Sequence, residues 1–153
     1  RVLKLVTKGL EGVKKDVQVS LQDNFELARK IAEESAVLLK NEDRILPVLE
    51  KEKTAFIGSM AEKSRYQGAG SSHINPWKLV SATEACPEVA YAKGCNEDGS
   101  YNETLLKEAL ELAKTKEKVV IFAGLTDSYE SEGFDRENMK MPQGHIRMKK
   151  WWQ

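Results

Sequence analysis

Two cysteines and two histidines in 153 residues leave little room for metal or disulfide chemistry. Cys86 and Cys95 make no disulfide framework, and with His73 and His145 at scattered spacings no zinc pattern exists, so no metal or cofactor is expected. The cysteines flank a predicted strand. A bridge around it and two free buried thiols both stay open. Charge of one sign is missing too, since 24 Lys and Arg balance 24 Asp and Glu. That removes the basic footprint of a nucleic-acid binder and the polybasic patch of a membrane binder. No apolar run approaches the roughly 20 residues of a membrane span. Arg1-Val-Leu-Lys-Leu-Val6 is too charged and too short for a signal-peptide core, so an exported parent would carry its signal outside this chain; cytoplasmic and exported parents stay open. There are no internal repeats and no low-complexity stretches.

The chain does hold 41% apolar and 31% charged residues, the balance of a globular domain large enough to bury a core. Residues 1–22 read as an end-piece: a short amphipathic helix closing at Gly9, then a linker through Gly12 and Lys14-Lys-Asp16. Asp23 opens a stronger helix, with Glu26 completing a capping box. Leu27, Ile31, Ser35 and Leu38 form its stripe, Lys40 sits in its last turn, and it stops at Asn41. Pro47 sets the following turn. Lys53–Gly58 reads as a first strand, Trp77–Cys86 as a short helical crossover, Glu88–Ala92 as a second strand closed by Gly94. Ser100 and Glu103 predict a capping box for a helix with Leu105, Leu106, Ala109, Leu110 and Ala113 buried. Asn102-Glu-Thr104 matches the glycosylation triplet, which matters only in a secretory compartment. Lys118–Ala123 reads as a third strand.

Strands alternating with helices imply right-handed βαβ units, hence an α/β fold: a three-layer sandwich with a mainly parallel sheet in the order 2-1-3, apparently truncated. A helix is expected after Pro142. Trp151 and Trp152 at the end either pack on the sheet or mark a surface lacking its partner, and with open sheet edges they favour association into a homo-oligomer.

Chemistry concentrates where the strands exit. The first exit loop carries Ser59, Arg65, Tyr66, Gly68-Ala-Gly70-Ser-Ser72, His73 and Asn75-Pro-Trp77. Its glycines suit close approach of the backbone to a ligand or partner; as a phosphate cradle they lack the Lys-Ser/Thr pair. The third strand delivers Gly124–Met139, with five carboxylates, Tyr129, Phe134 and Arg136. Loops at the C-terminal ends of parallel strands are where open α/β sheets put ligands. Glu130 and Glu132 stand just before Gly133 and share a face if the loop is extended. On charge alone, a solvated acidic loop and a functional one are both open.

Four segments, in order and spacing, resemble glycoside hydrolase family 3, the β-glucosidase and β-xylosidase family: Glu26–Glu42 with Leu46-Pro47, Thr54–Gly58, Gly68–Ser72, and Glu130-Ser-Glu-Gly-Phe-Asp-Arg136. The resemblance covers residues 1–142. It implies that residues 1–22 correspond to the last helix of a (β/α) barrel and an interdomain linker, and residues 23–142 to the first part of an α/β sandwich domain, leaving 143–153 as a divergent tail. It also implies a retaining, two-carboxylate mechanism, with an aspartate nucleophile on the barrel and a glutamate acid/base. The acid/base position falls on Glu132, with Glu130 as the alternative. Gly133, Asp135 and Arg136 shape the loop, Arg136 pinning it through Asp135 or another acid. Arg65, His73, Trp77 and Tyr129 are the substrate-contact candidates. The implied partners are a β-linked oligosaccharide or glycoside and a barrel supplied by the same or another chain. The nucleophile has no counterpart in this sequence, so the chain alone is expected to be inactive. Two other readings remain: a non-catalytic carbohydrate-binding or protein-interaction module, and a small nucleotide-binding domain.

Overall fold

In the computed structural model, residues 1–13 and 17–150 are described. The Lys14-Lys-Asp16 linker and the Trp151-Trp152 pair lie outside them. The chain divides into two compact units, Arg1–Leu39 and Lys40–Gln153, where the sequence suggests a boundary at 22/23.

The first unit holds α1 (Val2–Gly12) and α2 (Leu21–Glu34). Helix α1 runs through Gly9 rather than closing there. Helix α2 starts two residues before Asp23, because the Ser20 hydroxyl accepts the Asp23 N–H and takes the cap. Asp23 then lies in the first turn, where a negative charge suits the helix dipole. The helix also stops early, at Glu34. Ser35 turns its Oγ back to the Ile31 carbonyl at 2.7 Å, and Val37, Leu38 and Leu39 beyond it are exposed. The periodic stripe therefore has no burial to hold its last turn.

The second unit is built on three short parallel strands, β1 (Thr54–Ile57), β2 (Ala90–Ala92) and β3 (Lys118–Ile121), in the order β2-β1-β3. The α/β class, the parallel sheet and the strand order expected from the sequence are all present. Phe56 pairs with Tyr91 and Val120, and Ile57 with Ala92 and Ile121. With a side-chain period of two, these rows face opposite ways. Ile57, Ala92, Val119 and Ile121 pack with Leu106, Ala109 and Ala113 of α4 (Glu103–Lys114) and Met148 of α5 (Gln143–Lys150). Phe56, Tyr91, Val120 and Phe122 pack with Ala61, Val89, Ala82 and Cys86 on the other side, and the rings of Phe56 and Phe122 meet edge to face at 5.0 Å. The central strand β1 is buried on both faces, as a central parallel strand must be.

In this unit the crossover and the start of α4 also differ from expectation. The crossover shrinks to one turn, α3 (Ala82–Ala85), because its only capping box is Ser81 with Glu84. Helix α4 is capped by Asn102, not Ser100. The Asn102 Oδ1 accepts the N–H groups of Thr104 and Leu105, while Ser100 is consumed in the preceding turn, its N–H donating to Asp98 and its Oγ accepting from Asn96. The Asn102 amide nitrogen donates to Asn96 Oδ1 at 3.0 Å, so both ends of the glycosylation triplet's asparagine are engaged.

Helix α5 docks through Gly144, whose N–H donates to the Gly99 carbonyl. A β-carbon at Gly144 would lie 2.5 Å from Cys95 Cβ and 2.8 Å from two backbone oxygens. His145 is buried beside it, and its Nδ1 accepts the Gly124 N–H where the acidic loop leaves β3. Burial pushes the His145 pKa down, keeping the ring neutral. Both cysteines are free thiols; Cys95 is buried and Cys86 half-buried. Burial, with Asp98 adding, pushes the Cys95 thiol up to about 11. Among the described residues no helix is long and apolar enough to cross a membrane.

Candidate functional site

Two loops meet at the C-terminal edge of the sheet. The first leaves β1 at Gly58, which takes φ 120° and brings its Cα against the Phe122 carbonyl. It ends in a tight turn over Gly70–Ser72 that His73 closes through its N–H to the Gly70 carbonyl. The second leaves β3 at Gly124 and folds back on itself. Ser131 and Phe134 exchange backbone hydrogen bonds at 3.2 and 3.3 Å, with Glu132 and Gly133 as the two residues between them and Gly133 at φ 98°. This is a two-residue hairpin with a left-handed residue that glycine supplies. It breaks the alternation that would put Glu130 and Glu132 in one environment.

Glu132 stands at the hairpin tip and reaches across to the first loop. Its carboxylate accepts the Ser71 N–H on one oxygen and the Ser71 hydroxyl, at 3.1 Å, on the other. The side chain lies flat on Gly70, where a β-carbon would fall 1.7 Å from Glu132 Oε2 and 2.6 Å from its Cβ. Gly70 also has φ 66°, so it is glycine for two reasons at once. The glycine-rich segment is therefore a cradle, and what fills it is a carboxylate of the same chain. Ser71 was not legible as a partner, since nothing in the sequence ties positions 61 residues apart.

Glu130 has a different setting. It lies between Arg65, 3.7 Å from Nη1, and Arg136, 3.8 Å from Nε. Arg136 thus pins the loop through Glu130 rather than its neighbour Asp135, and also approaches Met139 Sδ. Arg65 pairs with Asp127 at 3.1 Å and donates to the carbonyls of Leu125 and Glu130. Beside these contacts is a cleft of about 260 Å³, lined among others by Arg65, Tyr66, His73, Glu97, Thr126 and Asp127. The structure brings Arg65 and His73 together there. Trp77, half-exposed, is not in its lining. Tyr129 and Asp135 line a second depression of about 290 Å³ with Phe134 and Arg136. On the cleft wall, Lys63 at 2.7 Å and Lys93 at 3.0 Å hold the Glu97 carboxyl below the usual carboxylate range.

Residues 36–150 match the model of the glycosyl hydrolase family 3 C-terminal domain. The chain belongs to that family. The family 3 match includes β1 to β3, both exit loops and α5. The chain is 40% identical over 156 aligned residues to thermostable β-glucosidase B of Acetivibrio thermocellus, across 97% of its own length. It is 39% identical over 137 residues to an exo-α-(1→6)-L-arabinopyranosidase of Bifidobacterium longum, across 80% of its length. It superposes on the crystal structure of a family 3 β-glucosidase from Bifidobacterium adolescentis with a TM-score of 0.84 at 41% identity, covering 97% of this chain and 23% of that one. The chain spans 21% and 18% of the lengths of the two relatives.

Proposed function

We propose that this chain supplies the general acid/base, Glu132, to a retaining glycosidase whose nucleophile aspartate stands on a separate barrel. The observation that carries the reading is the presentation of Glu132. It sits at the tip of a two-residue hairpin at the C-terminal edge of the sheet, where open α/β sheets hold ligands, and among the described residues its carboxylate accepts from the N–H and hydroxyl of Ser71. Glu132 makes no ion pair among the described residues, and its place just before Gly133 is the one that the family resemblance gives to the acid/base. Glu130, between two guanidinium groups, has the cationic setting.

In the first step a carboxylate on the barrel attacks the anomeric carbon as the C–O bond to the leaving group breaks. The protonated Glu132 gives its proton to the departing oxygen. In the second step the Glu132 carboxylate takes a proton from the water that attacks the glycosyl ester, which releases the sugar and restores both groups. The two carboxyls must stand roughly 5–5.5 Å apart for this. The named relatives act on different sugars yet share this segment, which suits a chain that handles the proton and leaves sugar choice to other residues.

The test is complementation. The chain is mixed with a separately produced family 3 barrel and assayed on an aryl β-glucoside with a poor leaving group. Glu132→Gln is expected to lower the gained rate by about 10²–10⁴-fold. An azide nucleophile with a good leaving group restores turnover, because neither step then needs the proton. A Glu132→Gln variant as active as the parent, or a larger loss from Glu130→Gln, overturns the assignment.

A further inference from the structure

Glu132 and its cradle come from loops that share no backbone, so their alignment needs a bolt. We propose that Arg65 is that bolt, the positioning residue for Glu132. Arg65 lies on the β1 exit loop, five residues before Gly70. From there its guanidinium grips the β3 exit loop along its length. Nη1 donates to the Leu125 carbonyl at 3.1 Å, Nη2 to the Glu130 carbonyl at 3.2 Å, and Nε lies 3.1 Å from Asp127 Oδ1. The Glu130 carbonyl is two residues from Glu132. Two backbone contacts on one loop, made by one rigid planar fork, fix that loop's height and tilt against the other. Side-chain exposure of 24% shields the fork more than its partners Asp127 and Glu130, at 61% and 41%.

Arg65 lines the cleft, yet its fork is occupied by the protein itself. The sugar-contact role that the sequence suggests would compete with these bonds. A bolt explains the arginine better than a ligand contact does: a cation for a ligand need not aim two nitrogens at carbonyl oxygens. Lysine would keep the charge beside Asp127 and lose the fork.

The inference rests on Glu132 as acid/base for its catalytic meaning, but its test reads the cradle without activity, so the two fail separately. In the full chain, the Ser71 amide resonance is followed by ¹H–¹⁵N correlation across the pH range in which Glu132 titrates. Its pH-dependent movement is assigned to Glu132 by its loss in Glu132→Gln. In Arg65→Met and Arg65→Lys the amplitude is expected to fall at least about twofold, while the core amides of Phe56, Leu106 and Val119 keep their positions. An unchanged amplitude in Arg65→Lys overturns the proposal, because charge without the fork would then suffice. Arg65→Lys retains a cation for Asp127 and decides the matter even where Arg65→Met fails to fold.

Discussion

Replacing Gly70 by alanine tests the cradle most directly. Two costs combine. The backbone there has φ 66°, and an L-residue in the left-handed region costs about 1–2 kcal/mol. The new methyl would also stand 1.7 Å from Glu132 Oε2 and 2.6 Å from its Cβ. Swinging the carboxylate aside does not clear the second contact, so the hairpin tip itself must move and both Ser71 bonds are lost. Hydrogen bonds to a charged group contribute about 1.5–3 kcal/mol when shielded and less at this exposed site, so about 1 kcal/mol for the pair is a fair discount. The sum is about 2–3 kcal/mol. Gly133→Ala supplies the control: φ is 98° but nothing lies within 4 Å of a β-carbon, so only the backbone term of about 1–2 kcal/mol applies. Urea unfolding of Gly70→Ala, Glu132→Ala and the double variant separates the terms. In the Glu132→Ala background the Ser71 bonds are already gone, so Gly70→Ala is expected to cost about 1 kcal/mol less there than in the parent, and the two effects are not additive. Additive effects, or a Gly70→Ala no worse than Gly133→Ala, would refute the seat.

Other outcomes follow from the same structure. Gly58→Ala puts a methyl 2.0 Å from the Phe122 carbonyl oxygen at φ 120°; with backbone on the other side nothing yields, and a loss of about 3–5 kcal/mol is expected by denaturant melting. A cost below about 1 kcal/mol would mean that β1 and β3 do not approach as described. Burial lowers the His145 pKa below its ordinary 6.5, so the unfolded chain binds the extra proton first. Stability from this group is complete above that value and drains away as the pH falls through the folded pKa. Melting midpoints should therefore decline on acidification from about pH 7.5, before the carboxylates of Glu97 and Asp98, already held below their ordinary 4.5 and 3.8, take part. His145→Leu should flatten that early decline; an unchanged slope would count against a neutral buried imidazole.

The local grammar of the sheet is written in residue order alone. Runs such as Thr54-Ala-Phe-Ile57 and Lys118-Val-Val-Ile121 are strand-like at any length scale, and the helical period of Glu103–Lys114 is visible without a partner to pack on. Parallel pairing was legible from strands alternating with helices, and the order from the common form of doubly wound sheets. Where helices start was less legible. Ser20 and Asn102 cap as well as Asp23 and Ser100, and the choice depends on which neighbour is already engaged elsewhere, as Ser100 is in the turn before α4. The early stop of α2 was hidden for a related reason, since a periodic stripe promises burial but does not provide it.

The site divides in the same way. Its carboxylates, arginines and glycines were legible as residue types at the exits of two strands. Which carboxylate faces what was not, because Glu130 and Glu132 differ by a single residue and only the Ser131–Phe134 hairpin sends them to different partners. The cradle on Gly70, the Ser71 donors and the Arg65 fork all join positions about sixty residues apart. Contacts of that range exist only after the sheet sets its strands side by side, so no local stretch of residues specifies them.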